Sequence, residues 1–190
     1  GLALVASAQP AATMTLPVGL PDLPVHLRLD ALSALFLLLL GVATAGISIF
    51  AAGYFREGQG TAPGLLCLQY HVFLASMVLV LLADDAYAFM VAWETMALSS
   101  YFLVPTQHRL PEIRSAGFLY LLLAHLGAIG ILLCFGVLQG GSWQFTFDAM
   151  REAVGDEKLT YLGYSYGTRI GATYAELFGD KVRAMILDGA

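Results

Sequence analysis

Residues 31–55, ALSALFLLLLGVATAGISIFAAGYF, contain no charged side chain. A run this long and this apolar has few places to go. As a helix rising 1.5 Å per residue, about 20 such positions cross a hydrocarbon layer of roughly 30 Å. A helix also pairs its own backbone groups, which a segment in lipid must do. The run therefore predicts a membrane-spanning helix with length to spare for tilt.

Three further apolar runs follow, at 65–83, 86–104 and 116–138, and the connectors between them suit water. REGQGTAPG is charged and glycine-rich, PTQHRLPEIRS holds two prolines, and Asp84-Asp85 reads as a tight water-facing hairpin. Upstream, LPVGLPDLPVHLRLD is proline-punctuated and reads as extended, ending at Asp30, a natural N-cap for the first helix. Small residues on the first run (Gly41, Ala45) and the fourth (Ala124, Gly127, Ala128, Gly130) suggest close helix–helix approach. The composition agrees: 58% of residues are hydrophobic and only 12% charged, against about 25% charged in soluble domains.

The same numbers exclude other classes. A net charge of −5 offers no basic footprint, so nucleic acid is not an expected partner. Cys67 and Cys134 lie far apart in apolar runs without a C-x-x-C, and read as buried small hydrophobes. No metal-ligand set and no cofactor are expected. Arginines at 56, 109 and 114 face those at 28 and 151 across the layer, too small a bias to set orientation. Residues 1–10 read as the end of a signal peptide or of a preceding helix, as though the sequence starts mid-protein.

Two polar residues inside the runs carry chemical interest. Glu94 lies mid-segment, where a charged side chain costs about 2.5–3.5 kcal/mol on insertion scales. It is either a protonated, hydrogen-bonded structural residue or a protonatable group on an ion path. Tyr87 and Tyr101, one heptad to either side, offer hydroxyl partners. His125 in the fourth run is a second proton-handling candidate, with interface packing as its bland alternative. Gln69 and His71, near the start of their run, read as interfacial.

After Gly140-Gly141 the character changes. DAMREAVGDEK reads as a short amphipathic helix, LTYLGYS as a strand, about 168–178 as a helix, and RAMILDG as a second strand. Between the first strand and the helix stands Gly163-Tyr164-Ser165-Tyr166-Gly167, a G-x-S-x-G pattern in the strand–turn–helix setting that exposes a serine hydroxyl above a sheet.

The runs HLRLDALSALFLLLL, AWETMALSSYFLV and AGFLYLLLAHLGAIGILLCFGVL resemble the antiporter-like membrane subunits of complex I and its relatives, especially the large membrane subunit of hydrogenase-4 and formate-hydrogenlyase-type complexes. The resemblance covers about 17–150. It implies that Glu94 occupies the place of a glutamate on the proton path, and that redox chemistry belongs to partner subunits. The family couples that glutamate to lysines on later helices; here the first lysine is Lys158. The segment 149–190 resembles the nucleophile region of α/β-hydrolases of the tripeptidyl-aminopeptidase and proline-iminopeptidase type. That resemblance implies Ser165 as nucleophile and the Tyr166 backbone N–H as an oxyanion donor. The family order is Ser, acid, His, yet His26, His71, His108 and His125 all precede Ser165.

The resulting expectation is a mainly α, multi-pass transmembrane bundle of four helices with a short C-terminal β-α-β fragment of α/β-hydrolase type. Its parts are an extended segment 1–30, four helices within 31–138, a junction 139–157 and the hydrolase fragment 158–190. Functionally it reads as a fragment of a proton-translocating, antiporter-like subunit in a cell (inner) membrane, not active alone. Its partners would be the lipid bilayer and other subunits of a membrane hydrogenase or complex I-like assembly. A serine hydrolase or peptidase is the alternative, and a chimera with neither activity is the third reading.

Overall fold

The computed structural model describes residues 11–54, 61–104, 109–155 and 157–189. The expectations for residues 1–10, the connector 55–60 and His108 fall outside them.

The proline-punctuated segment is a hairpin. Strands β1 (Ala12–Leu20) and β2 (Leu23–Leu29) pair antiparallel. The prolines are accommodated by position: Pro17 falls in the register shift between Leu16 and Gly19, and Pro21 lies in the turn. Gly19, at φ 138°, is required there, since a Cβ would run into the Leu23 carbonyl oxygen.

Four long helices follow: α1 (Ala31–Tyr54), α2 (Pro63–Leu82), α3 (Ala86–Leu103) and α4 (Pro111–Leu138). Asp30 caps α1, its Oδ1 accepting from the Ser33 N–H at 2.8 Å. Proline stands at the start of α2 and of α4, where its missing N–H costs nothing. That placement starts α4 at Pro111, five residues before the apolar run expected from 116. Among the described residues, α1, α2 and α4 are long and apolar enough to cross a membrane, by length and composition. The eighteen-residue α3, which carries Glu94, Thr95, Ser99 and Ser100, is not among these three.

The bundle is built with small residues inside and large ones outside. Ala34, Ala86, Ala92, Ala97, Ala128, Ser76 and Ser99 are buried, whereas Leu39, Val42, Ile49, Phe50, Leu122 and Leu133 are exposed. α2 packs along α3, α4 packs on α3, and α1 leans on α2. Of the small residues expected at helix contacts only Ala128 is buried; Gly41, Gly127 and Gly130 have open space where a Cβ would go. Cys67 and Cys134 are exposed rather than buried, because their apolar runs face outward.

A short amphipathic helix, α5 (Phe147–Val154), closes one end of the bundle. Its Phe147 ring lies 5.8 Å from Phe135 of α4 and 6.2 Å from Phe89 of α3, and Met150 is buried. Gly155, at φ 67°, ends it in the left-handed conformation that favours glycine. Then come β3 (Leu159–Tyr164), α6 (Tyr166–Phe178), a 3₁₀ turn and β4 (Val182–Asp188). β3 and β4 pair in parallel with α6 as the crossover.

Candidate functional sites

Three polar constellations stand out among the described residues. The first joins the two proton-handling candidates. Glu94 of α3 and His125 of α4 meet across the helix interface, Oε2 to Nε2 at 3.4 Å. No hydrogen bond joins Glu94 to Tyr87 or Tyr101; Tyr101 instead packs edge-on to Phe102, and Tyr87 lines a small cavity with Met90 and Phe135. The His125 Nδ1 lies 2.9 Å from the Leu121 carbonyl oxygen. A carbonyl only accepts, so Nδ1 carries a hydrogen, and in neutral imidazole Nε2 then presents its lone pair to Glu94. For Oε2 and Nε2 to attract, one of them must hold a proton. The geometry therefore describes a pair with room for one exchangeable proton between two helices.

The second constellation is the corner Asp84-Asp85, which was expected to face water. Asp85 is instead only 2% exposed. Its Oδ1 accepts from the Ala88 N–H at 2.6 Å, capping α3, and its Oδ2 accepts from the His26 N–H at 2.6 Å and lies 3.2 Å from His26 Nδ1. Backbone bonds weave the same corner into β2 and the stretch before α5: Asp84 N–H to His26 O, Ala86 N–H to Phe145 O, Phe147 N–H to Asp84 O. The corner is buried because three chain segments converge on it, which no local pattern announces. Arg28 reaches Asp148 of α5 at 3.1 Å and Asp84 at 3.8 Å, and Arg151 reaches Asp148 at 3.4 Å. Burial pushes the Asp84 carboxyl above the usual carboxylate range, with Arg28 pulling partly back and Asp148 adding to the rise. The N–H of Ser33 holds Asp30 below that range.

The third is the G-x-S-x-G turn. Ser165 adopts φ 50° and ψ −119°, a conformation non-glycine residues rarely take, and its side chain is exposed between β3 and α6. The turn is held on both sides: Ser165 N–H donates to Asp188 O at 3.0 Å, while Thr168 donates to Ser165 O through N–H at 3.0 Å and through its hydroxyl at 2.7 Å. The glycines are there for close approach. A Cβ on Gly163 would sit 2.6 Å from the Gly167 carbonyl oxygen, and one on Gly171 2.6 Å from the Tyr161 ring. The Tyr161 hydroxyl then donates to Gly167 O at 2.9 Å. The helix begins at Tyr166, two residues earlier than expected, so the Tyr166 N–H has no intrahelical acceptor, the state an oxyanion donor requires. No histidine follows Ser165 in the 190 residues, and the described ones sit on β2, α2 and α4.

Comparisons with known proteins divide along the same line. The α/β-hydrolase-fold family model matches residues 144–190. An uncharacterized protein of Mycobacterium tuberculosis is 37% identical over 160 residues, 80% of this chain and 24% of that protein. Hydrogenase-4 component B of Escherichia coli is 34% identical over 125 residues, 66% of this chain and 18% of that protein. The serine protease Hip1 of Mycobacterium tuberculosis is 54% identical over 68 residues, 36% of this chain and 11% of the protease. The chain thus spans a quarter or less of the length of each. The shares of 80% and 36% exceed the whole chain together, so those two matches overlap. α5 lies inside the hydrolase-model match and packs Phe147 against Phe135 of α4, while its Asp148 meets Arg28 of β2.

Proposed function

We propose that the helical part, α1 to α5, is a portion of an antiporter-like membrane subunit and that Glu94 and His125 form a one-proton relay within it. The observation that carries this is the 3.4 Å approach of the two side chains across two largely apolar helices. Intramembrane ionisable residues are rare, face one another, and mark ion or proton paths. Similarity to hydrogenase-4 component B supports the setting: a multi-pass protein of the inner membrane, α3 completing a bundle of four spans, working with other subunits of a hydrogenase or complex I-like assembly. Glu94 takes up the proton, and His125, already donating through Nδ1, accepts it at Nε2. Redox chemistry then belongs to the partners, and no cofactor is assigned to this chain.

Infrared difference spectroscopy on detergent-solubilised chain tests the relay. A protonation-dependent carboxyl stretch should disappear in Glu94→Gln and shift in His125→Gln. A band unaffected by His125→Gln would break the pair. Membrane residence is tested separately, by resistance to alkaline carbonate extraction.

A second reading rests on the strained Ser165 turn and on similarity to Hip1. In it, Ser165 is a nucleophile of a serine hydrolase and the Tyr166 N–H stabilises the oxyanion. An unactivated serine hydroxyl is a weak nucleophile, and the described histidines sit on β2, α2 and α4 rather than in the β3–α6–β4 unit. Labelling of Ser165 by a fluorophosphonate, abolished in Ser165→Ala, would favour it. A chain joined from two ancestries without either activity is the third reading; one uninterrupted reading frame across the codons for 147–158 in the source DNA would establish a natural fusion.

A further inference from the structure

We propose that Trp143, on the loop that follows α4, is an anchor for the headgroup layer of a lipid bilayer. The inference rests on the membrane placement of the helical part, and is independent of the proton relay and of the hydrolase reading. The loop stands where apolar chain gives way to charge. α4 has 28 residues, about 42 Å of helix, against about 40–45 Å for a bilayer with its headgroups. Its first turns carry Glu112 and Arg114, so its apolar stretch runs to the Leu138 end. Beyond that end, Arg28, Asp148 and Arg151 form a charged cluster. Trp143 lies between the two. Tryptophan is enriched at such a boundary because its ring is apolar while its indole N–H donates a hydrogen bond.

The local conformation singles out the same residue. Gly140 at φ 58° and Gly141 at φ 83° turn the chain back after α4, in a region that suits glycine. Trp143 follows at φ 57°, which a bulky residue rarely adopts. Bonds on both sides hold it there. Its N–H donates to Gln139 Oε1 at 2.8 Å, and the Gln144 N–H donates to the Ser142 hydroxyl oxygen at 3.2 Å. Two residues on, the Ala86 N–H donates to the Phe145 carbonyl at 2.8 Å and ties the loop to the start of α3.

The outcome is an indole that is 79% exposed, with an edge-on contact to Phe145 at 6.4 Å between ring centroids. The plainer explanation is a surface side chain on a turn that needs a positive φ. Glycine, used at 140 and 141, would serve such a turn better, and the explanation leaves the bulkiest side chain standing outward on a tied loop without a purpose. A bilayer interface supplies one: it takes up the ring, and its carbonyls and water accept from the indole N–H.

The chain has two tryptophans, so Trp93→Phe leaves Trp143 as the sole reporter. The variant is reconstituted in phosphatidylcholine vesicles, and alkaline carbonate establishes whether it stays with them. Fluorescence quenching is then compared between acrylamide in the water and phospholipids brominated near the carbonyl end or near the tail end of the acyl chain. The carbonyl-end bromines should quench most and acrylamide least, placing the indole about 15–22 Å from the bilayer centre. The difference between the parent chain and Trp143→Phe should give the same depth, so the reading does not hang on one variant, and far-ultraviolet circular dichroism establishes that each keeps its helices. Strongest quenching by acrylamide, which puts the ring in water, would overturn the anchor. So would strongest quenching by the tail-end bromines, or protection from every quencher, the mark of a covering protein. Release of the chain by carbonate would overturn the membrane placement and the anchor together.

Discussion

Replacing Asp85 with alanine should cost the bundle about 3–4 kcal/mol, a large part of the 5–15 kcal/mol that holds a typical fold. The magnitude follows from the bonds removed. Oδ1 caps α3 through the Ala88 N–H at 2.6 Å, and loss of an aspartate cap costs about 1 kcal/mol. Oδ2 accepts from the His26 N–H at 2.6 Å in a site 2% exposed, and a hydrogen bond to a charged group contributes about 1.5–3 kcal/mol. The His26 ring, a third exposed, adds less than about 1 kcal/mol. Asparagine separates the contributions, because its Oδ1 keeps the cap while its amide presents a donor to the His26 donor. Asp85→Asn should therefore lose nearly as much as Asp85→Ala, whereas Asp85→Ser, retaining a cap acceptor only, should fall between. The assay is unfolding of the detergent-solubilised chain by increasing sodium dodecyl sulfate, followed through Trp93 of α3. If Asp85→Ala lies within about 0.5 kcal/mol of the parent, the range of an ordinary surface change, then the corner does not hold β2 to the helices and the reasoning fails.

Other perturbations give signs as well as sizes. Asp84, whose carboxyl sits above the usual range through burial, binds its proton more readily folded than unfolded, so its contribution to stability falls as pH rises from the unfolded value of 3.8 through the raised one. Asp84→Asn should accordingly flatten that part of the pH–stability curve, read by the same unfolding assay at several pH values. Asp30 runs the other way: its N-cap stabilisation is present above 3.8 and lost as pH drops through the lowered value, and Asp30→Ala should remove that acid limb. Ser165→Gly, which frees a residue held at φ 50°, should stabilise the β3–α6–β4 unit by about 1–2 kcal/mol, measured as slower limited proteolysis within 159–188. Gly171→Ala, which drives a Cβ to 2.6 Å from the Tyr161 ring and 2.7 Å from Leu187, should destabilise the same unit by about 1–3 kcal/mol and speed that cleavage.

The long helices and the β-α-β order were legible because each has a local signature: uncharged apolar runs for α1, α2 and α4, and a glycine-flanked serine between strand and helix for the turn. The hairpin was not, since Pro17, Pro21 and Pro24 read as breaks until pairing places one in a bulge and another in the turn. Asp84-Asp85 looked like solvent-facing punctuation, and only the arrival of His26 and Phe145 from distant positions buries it. Glu94 and His125 were singled out separately; their meeting depends on how α3 and α4 pack, which neither helix encodes alone. The cysteines misled for a different reason. In a helix that faces outward an apolar neighbourhood in sequence is not an interior, so Cys67 and Cys134 end up exposed.

The Asp85 corner also carries a timetable. His26 waits for a partner 59 residues downstream, and Arg28 for one 120 residues on. At a synthesis rate of about 5–20 residues per second, the hairpin would stand alone for about 3–12 s before Asp85 emerges and for about 6–24 s before Asp148 does. During that interval β1 and β2 are a two-stranded ribbon, marginal by itself in water, while α1 and α2, long and apolar enough to cross a membrane, are already made. The hairpin is thus made well before the residues that secure it, and a ribosome stalled before residue 85 should leave it open to protease while α1 is already protected.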